Sequence, residues 1–238
     1  MKKQDISTLT NAELKPMVDR IPFFKELKLN DYEQYQLLLG HSKLIILDQA
    51  EVLLNKGKTG KEIYFLASGR LDVFSEDKPG DMALNQLAPG EIIAALSIIN
   101  DQPRTATLAA STSYAAGKTK VIATDFSIFG DLHDFTNIKL QTKINLIRLV
   151  INNIRFKLTT YQKKFPDHRL ANKRHNIDRF KGETNSVEEL ESLAGQAFVL
   201  THLLFNWNKE TESSIVMPKV EGKLSTKDKI LGLFSKAN

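Results

Sequence analysis

Leu140, Ile144, Ile147, Ile151, Ile154, Leu158, Tyr161 and Phe165 follow one another at spacings of 4, 3, 4, 3, 4, 3 and 4. A repeat averaging 3.5 residues and held for three heptads places one apolar seam along a helix, and that seam demands a second helix to cover it. A helix that merely faces a core drifts at 3.6 residues per turn instead. The repeat therefore predicts a long helix over 135–165 that self-associates along these residues. Isoleucine at both seam positions favours trimers in a free coiled coil, but attachment to a β domain is expected to leave a homodimer. A second apolar set, Leu146, Leu149 and Val150, is expected to pack back on a sheet. Pro166-Asp167 ends the helix.

The rest of the chain is patterned differently. Residues 12–40 carry helical spacing (Leu14, Val18, Ile21, then Leu37, Leu38, Leu39), interrupted by Pro16 and Pro22. Between 43 and 128, short apolar runs (Leu44–Leu47, Ile63–Leu66, Leu71–Phe74, Thr105–Ala109, Lys120–Ala123) alternate with turn signals at Gly57, Gly60, Gly69, Pro79-Gly80 and Pro89-Gly90. That rhythm predicts an antiparallel β sandwich or jelly roll. Pro79-Gly80, between Leu71–Phe74 and Met82–Leu87, reads as a hairpin tip. The fold class is thus α+β: a β roll with flanking helices, a long dimerisation helix and a helical C-terminal extension. The expected divisions are 1–134, 135–165 and 166–238. In the last, Ser186 with Glu189 forms a capping box that opens a helix running to about Trp207.

Charge is distributed unevenly. The 238-residue chain has a formal charge of +5, from 33 basic and 28 acidic residues. Between Lys139 and Lys181, however, twelve Lys and Arg face only Asp167 and Asp178, a local balance of +10. Such clustering points to an anionic partner: a protein surface, nucleic acid or phospholipid headgroups. With no cysteine there is no disulfide framework, thiolate metal site or Cys nucleophile. The five histidines lack metal-ligand spacing, so no metal site is expected. No phosphate-binding Walker loop, nucleophile elbow or paired-carboxylate motif occurs, and a non-enzymatic protein is expected. No apolar run reaches the length of a membrane span and no leader pattern opens the chain, so a cytoplasmic protein is expected.

Four stretches together resemble one known family. Ile21-Pro-Phe-Phe-Lys-Glu-Leu27 resembles the entry segment of cyclic-nucleotide-binding domains. Gly57-Lys-Thr-Gly-Lys-Glu-Ile-Tyr-Phe-Leu-Ala-Ser-Gly69-Arg-Leu-Asp-Val-Phe74 is similar to that family's pair of central strands. Leu87-Ala-Pro-Gly-Glu91 follows, and Leu96-Ser-Ile-Ile-Asn-Asp-Gln-Pro-Arg-Thr-Ala-Thr107 resembles the family's phosphate-binding cassette. The resemblance covers about 14–165, including the long helix that dimerises the bacterial catabolite-activator-like regulators.

The resemblance implies a ligand site. In such a cassette backbone N–H groups cradle a cyclic phosphate, an arginine forks onto it, and a glutamate accepts from the ribose 2′-hydroxyl. Arg104 falls on the family arginine, Thr105 on the small residue after it, and Leu96 and Ser97 within the cassette. The family Gly-Glu pair falls on Ala94-Ala95, so the ribose carboxylate is missing and cyclic nucleotide binding is expected to be weakened or lost. Gly90-Glu91 lies four residues too early to replace it. A structural alternative pairs Arg104 with Glu91 or another loop acid. No cofactor is expected beyond a cyclic nucleotide ligand.

Regulators of this family carry a DNA-binding helix-turn-helix after the dimer helix. Here Glu188–Gly195 resembles its first helix and turn, but Ala197, Phe198, Val199 and Leu200 stand where base-reading groups should project. A single amphipathic helix docking on another surface is the better expectation. The final stretch, 225–238, spaces Ile230, Leu233 and Phe234 as anchors of a short partner-docking helix. The overall expectation is a dimeric regulatory or adaptor protein acting through protein contacts. The alternatives are a DNA-binding regulator and a cyclic nucleotide sensor.

Overall fold

The computed structural model describes residues 1–75, 83–99, 101–115, 117–171 and 180–213. The chain divides into two units, Met1–Ile128 and Phe129–Asn238. The first begins with a strand, β1 (Lys2–Asp5), followed by the helices α1 (Asn11–Val18), α2 (Pro22–Asn30) and α3 (Tyr32–Gly40). Thr10 caps α1 reciprocally with Glu13, and Pro22 opens α2, where its missing N–H costs nothing.

Eight further strands follow: β2 (Ser42–Leu47), β3 (Val52–Leu54), β4 (Glu62–Ser68), β5 (Leu71–Phe74), β6 (Asn85–Leu87), β7 (Ile92–Ile93), β8 (Thr107–Ala110) and β9 (Thr119–Asp125). They form two antiparallel sheets, ordered β1-β2-β9-β4-β7 and β3-β8-β5-β6. The period of two sorts their side chains. Ile45 and Leu47, Tyr64 and Leu66, Val121 and Ala123 enter the common core with Leu71, Leu87 and Leu108. Phe65, on the opposite face of β4, stacks on Phe23 at 5.7 Å and meets Phe24 edge-on at 5.1 Å, which seats α2 on the outside of the first sheet. The expected sandwich is therefore present. The expected hairpin pairing is too, with Leu71, Asp72 and Val73 opposite Leu87, Gln86 and Asn85. Its tip at Pro79-Gly80 lies outside the described residues.

One glycine is obligatory to this arrangement. Gly69, at φ 88°, turns β4 into β5 where a Cβ would lie 2.4 Å from Thr119 Oγ1 and 2.6 Å from Thr119 Cα. Only a residue without a side chain fits there.

In the second unit α5 (Leu140–Lys164) and α6 (Val187–Ser213) lie side by side. Arg148 Nη2 donates to Glu189 Oε1 at 2.5 Å and Arg155 Nη2 to Gln196 Oε1 at 3.1 Å. Both pairs are 41 residues apart in sequence and advance together by one heptad, so the two helices run parallel and in heptad register. At the far end Tyr161 Oη donates to Asn208 Oδ1 at 2.8 Å, and its ring stacks on Trp207 at 5.5 Å. Trp207 also meets Phe165 and His168.

Ile144, Ile147, Ile151, Ile154 and Leu158 are buried within the one chain, and Leu140, Tyr161 and Phe165 are half-buried. Within the chain the helix that lies along α5 is α6. Leu146 and Val150 are buried as well. α5 and α6 both belong to the unit that begins at Phe129.

Gly195 lies inside the uninterrupted α6, so no helix-turn-helix forms over 188–204, as expected, and Ala197, Phe198 and Leu200 are buried. The docking helix predicted in its place is α6 itself. The capping box forms in altered shape: Ser186 Oγ accepts from Glu189 N at 3.1 Å, while the Glu189 carboxylate reaches Asn185 N and Arg148. The tail anchors Ile230, Leu233 and Phe234 lie outside the described residues.

Much of the basic run is also engaged internally. Arg148 and Arg155 hold α6, and Arg169 grips Glu210 through Nε at 2.8 Å and Nη2 at 2.5 Å. Lys143, 2% exposed, donates to the carbonyls of Asp131 and Leu132 and faces the Phe135 ring.

Candidate functional site

The turn after β7 places the cassette. Ala94 adopts φ 72°, a left-handed conformation that costs a residue with a Cβ about 1–2 kcal/mol. Its carbonyl gathers three donors: Arg104 Nη1 at 3.3 Å, Ser97 Oγ at 3.0 Å and Ile98 N at 3.2 Å. These bonds hold the strained turn in place and start α4 (Ala95–Ile99).

Arg104 is the hub of the site and only 5% exposed. Nη1 donates to Ser97 Oγ as well as to Ala94, and Nη2 to the carbonyls of Gly60 at 3.2 Å and Glu62 at 3.1 Å. Its backbone ties down the same loop, accepting from Gly57 N and donating to Lys58 O, both at 2.8 Å. A Cβ at Gly60 would stand 3.1 Å from Nη2, so the bare backbone there admits the guanidinium. The Tyr64 ring lies 5.8 Å from the guanidinium carbon.

Burial sets the electrostatics. It pulls the Arg104 pKa below the ordinary guanidinium value and pushes the Tyr64 phenol up to about 12, with the neighbouring Glu62 charge adding to the latter. Arginine stays charged regardless. Its acceptors are three backbone carbonyls and a hydroxyl, all neutral. The nearby Glu62 charge favours the protonated guanidinium.

Glu91 does not pair with Arg104. Glu91 Oε1 instead accepts from Ala88 N at 2.8 Å, closing its own turn. Among the described residues no carboxylate lies within ion-pair distance of the guanidinium. Arg104, Ser97, Ala94 and Ala95 come together as one cassette, with Ala95 buried and Leu96 and Thr105 half-buried. The contributions of Tyr64 and of the Gly60 and Glu62 carbonyls went unread in the sequence. Backbone acceptors carry no side-chain signal, and Tyr64 reads as an ordinary member of an alternating strand.

Residues 45–118 match the cyclic nucleotide-binding domain. The chain is 32% identical over 82 residues to the cAMP-dependent protein kinase regulatory subunit of Mucor circinelloides f. lusitanicus, covering 34% of this chain and 19% of that protein. It thus spans about a fifth of the length of the curated relative it matches. Among solved structures, the sensor domain of the transcriptional regulator DNR from Pseudomonas aeruginosa is 15% identical. That match covers 66% of this chain and 95% of that one, with a TM-score of 0.43. A cAMP-binding acyltransferase from Mycobacterium smegmatis is 19% identical over 65% of this chain and 41% of that one, also at 0.43. Residues 45–118 are thus the part of the chain that is similar to the cyclic nucleotide-binding domain.

Proposed function

We propose that this chain is a non-catalytic regulatory protein whose cyclic nucleotide-binding domain keeps the phosphate anchor but has lost the ribose acceptor. It acts through protein–protein contacts and binds cyclic nucleotides weakly. The observation that carries the reading is the pair Ala94-Ala95 beside Arg104: a strained alanine and a buried methyl where a carboxylate would have to stand. A charge-assisted hydrogen bond of that kind contributes roughly 1.5–3 kcal/mol, or about ten- to a hundredfold in affinity. Arg104 must also exchange bonds it already makes within the protein before it can fork onto a phosphate, which weakens binding further.

Calorimetric titration with cyclic AMP and cyclic GMP tests this. The wild-type chain should bind more weakly than about micromolar, and Ala95→Glu should gain about tenfold or more. Micromolar or tighter binding by the wild type would favour the sensor reading, which the retained Arg104 and Ser97 support. The DNA-binding reading draws no support from α6, which is one unbroken helix with its apolar middle buried.

A further inference from the structure

One carboxylate shares a turn with Arg104. A Cβ at Gly60 would lie 3.1 Å from Arg104 Nη2 and 3.4 Å from Glu62 Oε2, so the guanidinium and the carboxylate flank the same stretch of bare backbone. The two charges are therefore at most about 6.5 Å apart, inside the roughly 8 Å screening length of physiological salt. Further contacts fix this neighbourhood. Arg104 Nη2 donates to the Glu62 carbonyl at 3.1 Å, and Tyr64 Oη donates to Glu62 Oε2 at 3.2 Å. Tyr64 is buried while Glu62 is exposed, so a fixed phenol holds a carboxylate that a ligand can approach. Among the described residues no Lys, Arg or His lies within ion-pair distance of Glu62. Its charge acts on Arg104 across space instead.

We infer that Glu62 is the specificity determinant of the cassette: its negative charge, held beside the anchor, admits a singly charged cyclic phosphate and turns away a doubly charged phosphate monoester. The inference rests on the reading of Arg104 as the phosphate anchor, and it adds a cause of weak binding separate from Ala94-Ala95. An oxyanion that accepts from Arg104 comes within about 3 Å of a guanidinium nitrogen and so enters the field of Glu62. Repulsion scales with the charge of the ligand, so a dianion is opposed about twice as strongly in free energy as a monoanion. A carboxylate at this position therefore does more than lower affinity. It ranks phosphates by charge.

Glu62→Gln tests this in the full-length chain, because it removes the charge and keeps both the shape and an acceptor for Tyr64 Oη. Lys58 and Lys61 of the same loop stay in both chains, so the difference isolates Glu62. NMR titrations compare cyclic AMP with 5′-AMP at about pH 8, above the second phosphate pKa of about 6. The variant should gain about threefold for cyclic AMP and about tenfold for 5′-AMP. Both gains should shrink in 1 M salt, where charges are screened over about 3 Å. Equal gains for the two ligands, or no gain, would overturn the inference. So would a loss of affinity for cyclic AMP, which would mean that Glu62 itself contacts the ligand. Ala95→Glu, titrated alongside, keeps the two readings apart. A gain there with none in Glu62→Gln removes only the role of Glu62. Tight wild-type binding with both Glu62→Gln gains intact removes only the weak-binding proposal. If neither nucleotide binds either chain at millimolar concentration, the anchor and the role of Glu62 fall together.

Discussion

Lys143 shows how one residue couples burial to pH. Desolvation lowers its pKa from the ordinary 10.5 to about 8, opposed in part by the charges of Asp134 and Asp131. Between about pH 8 and 10.5 the folded chain therefore holds fewer protons than the unfolded one, and stability rises with pH across that window. The slope cannot exceed about 1.4 kcal/mol per pH unit. Lys143→Met removes this component, so the stability of wild type relative to the variant should climb from pH 8 to 10.5 in urea denaturation. A flat difference would contradict the buried-charge account. Backbone strain gives two more predictions. Gly69→Ala meets both a left-handed φ and the Thr119 backbone, and should cost about 2–5 kcal/mol in the same assay. Ala94→Gly should stabilise by about 1 kcal/mol, because it relieves strain without removing a contact. An unchanged denaturation midpoint for either variant would count against the corresponding local geometry.

At the scale of elements, the 4-3 repeat of α5 was fully legible as a helix that needs a helical partner. It was silent on whose helix that is, because periodicity records the face and not the source of its cover. Charge bears on that question. The acid-free α5 and the glutamates of α6 were both in view in the sequence, but read apart they suggested an anionic partner outside the chain. The apolar run 197–200 likewise excluded a DNA-reading helix, yet only the contacts to α5 showed what it covers. β1 had no apolar alternation to betray it. Lys2-Lys3-Gln4-Asp5 is an edge strand, and polar side chains there discourage pairing with other chains. The helix pair also yields a clean measurement, since Trp207 is the single tryptophan and lies 2% exposed in the second unit. Its fluorescence follows that unit alone. Leu190→Ala, at a fully buried site on α6, should lower the unfolding free energy it reports by about 2–5 kcal/mol. A shift below about 0.5 kcal/mol would mean that α6 does not depend on this contact.

On the scale of the whole molecule, the two units divide the labour. The β unit holds a cassette whose outline was readable: Arg104, Ser97 and the glycine punctuation carried the family pattern, and Ala94-Ala95 carried the departure from it. What the sequence could not convey is that Arg104 is already satisfied by carbonyls from the 57–62 loop and the cassette turn, since those acceptors belong to the backbone. The helical unit keeps its apolar seam covered and much of its basic run engaged. The proposed function rests most heavily on a cassette that keeps the arginine and has Ala94-Ala95 where a ribose acceptor is expected. The direct measurement is an NMR titration comparing cyclic AMP with its 2′-deoxy analogue, which remains readable at millimolar dissociation constants. With a methyl at Ala95 the two ligands should bind within about twofold of each other, because no charged acceptor rewards the hydroxyl. A preference of about tenfold or more for cyclic AMP would contradict the account and place an unrecognised acceptor in the pocket.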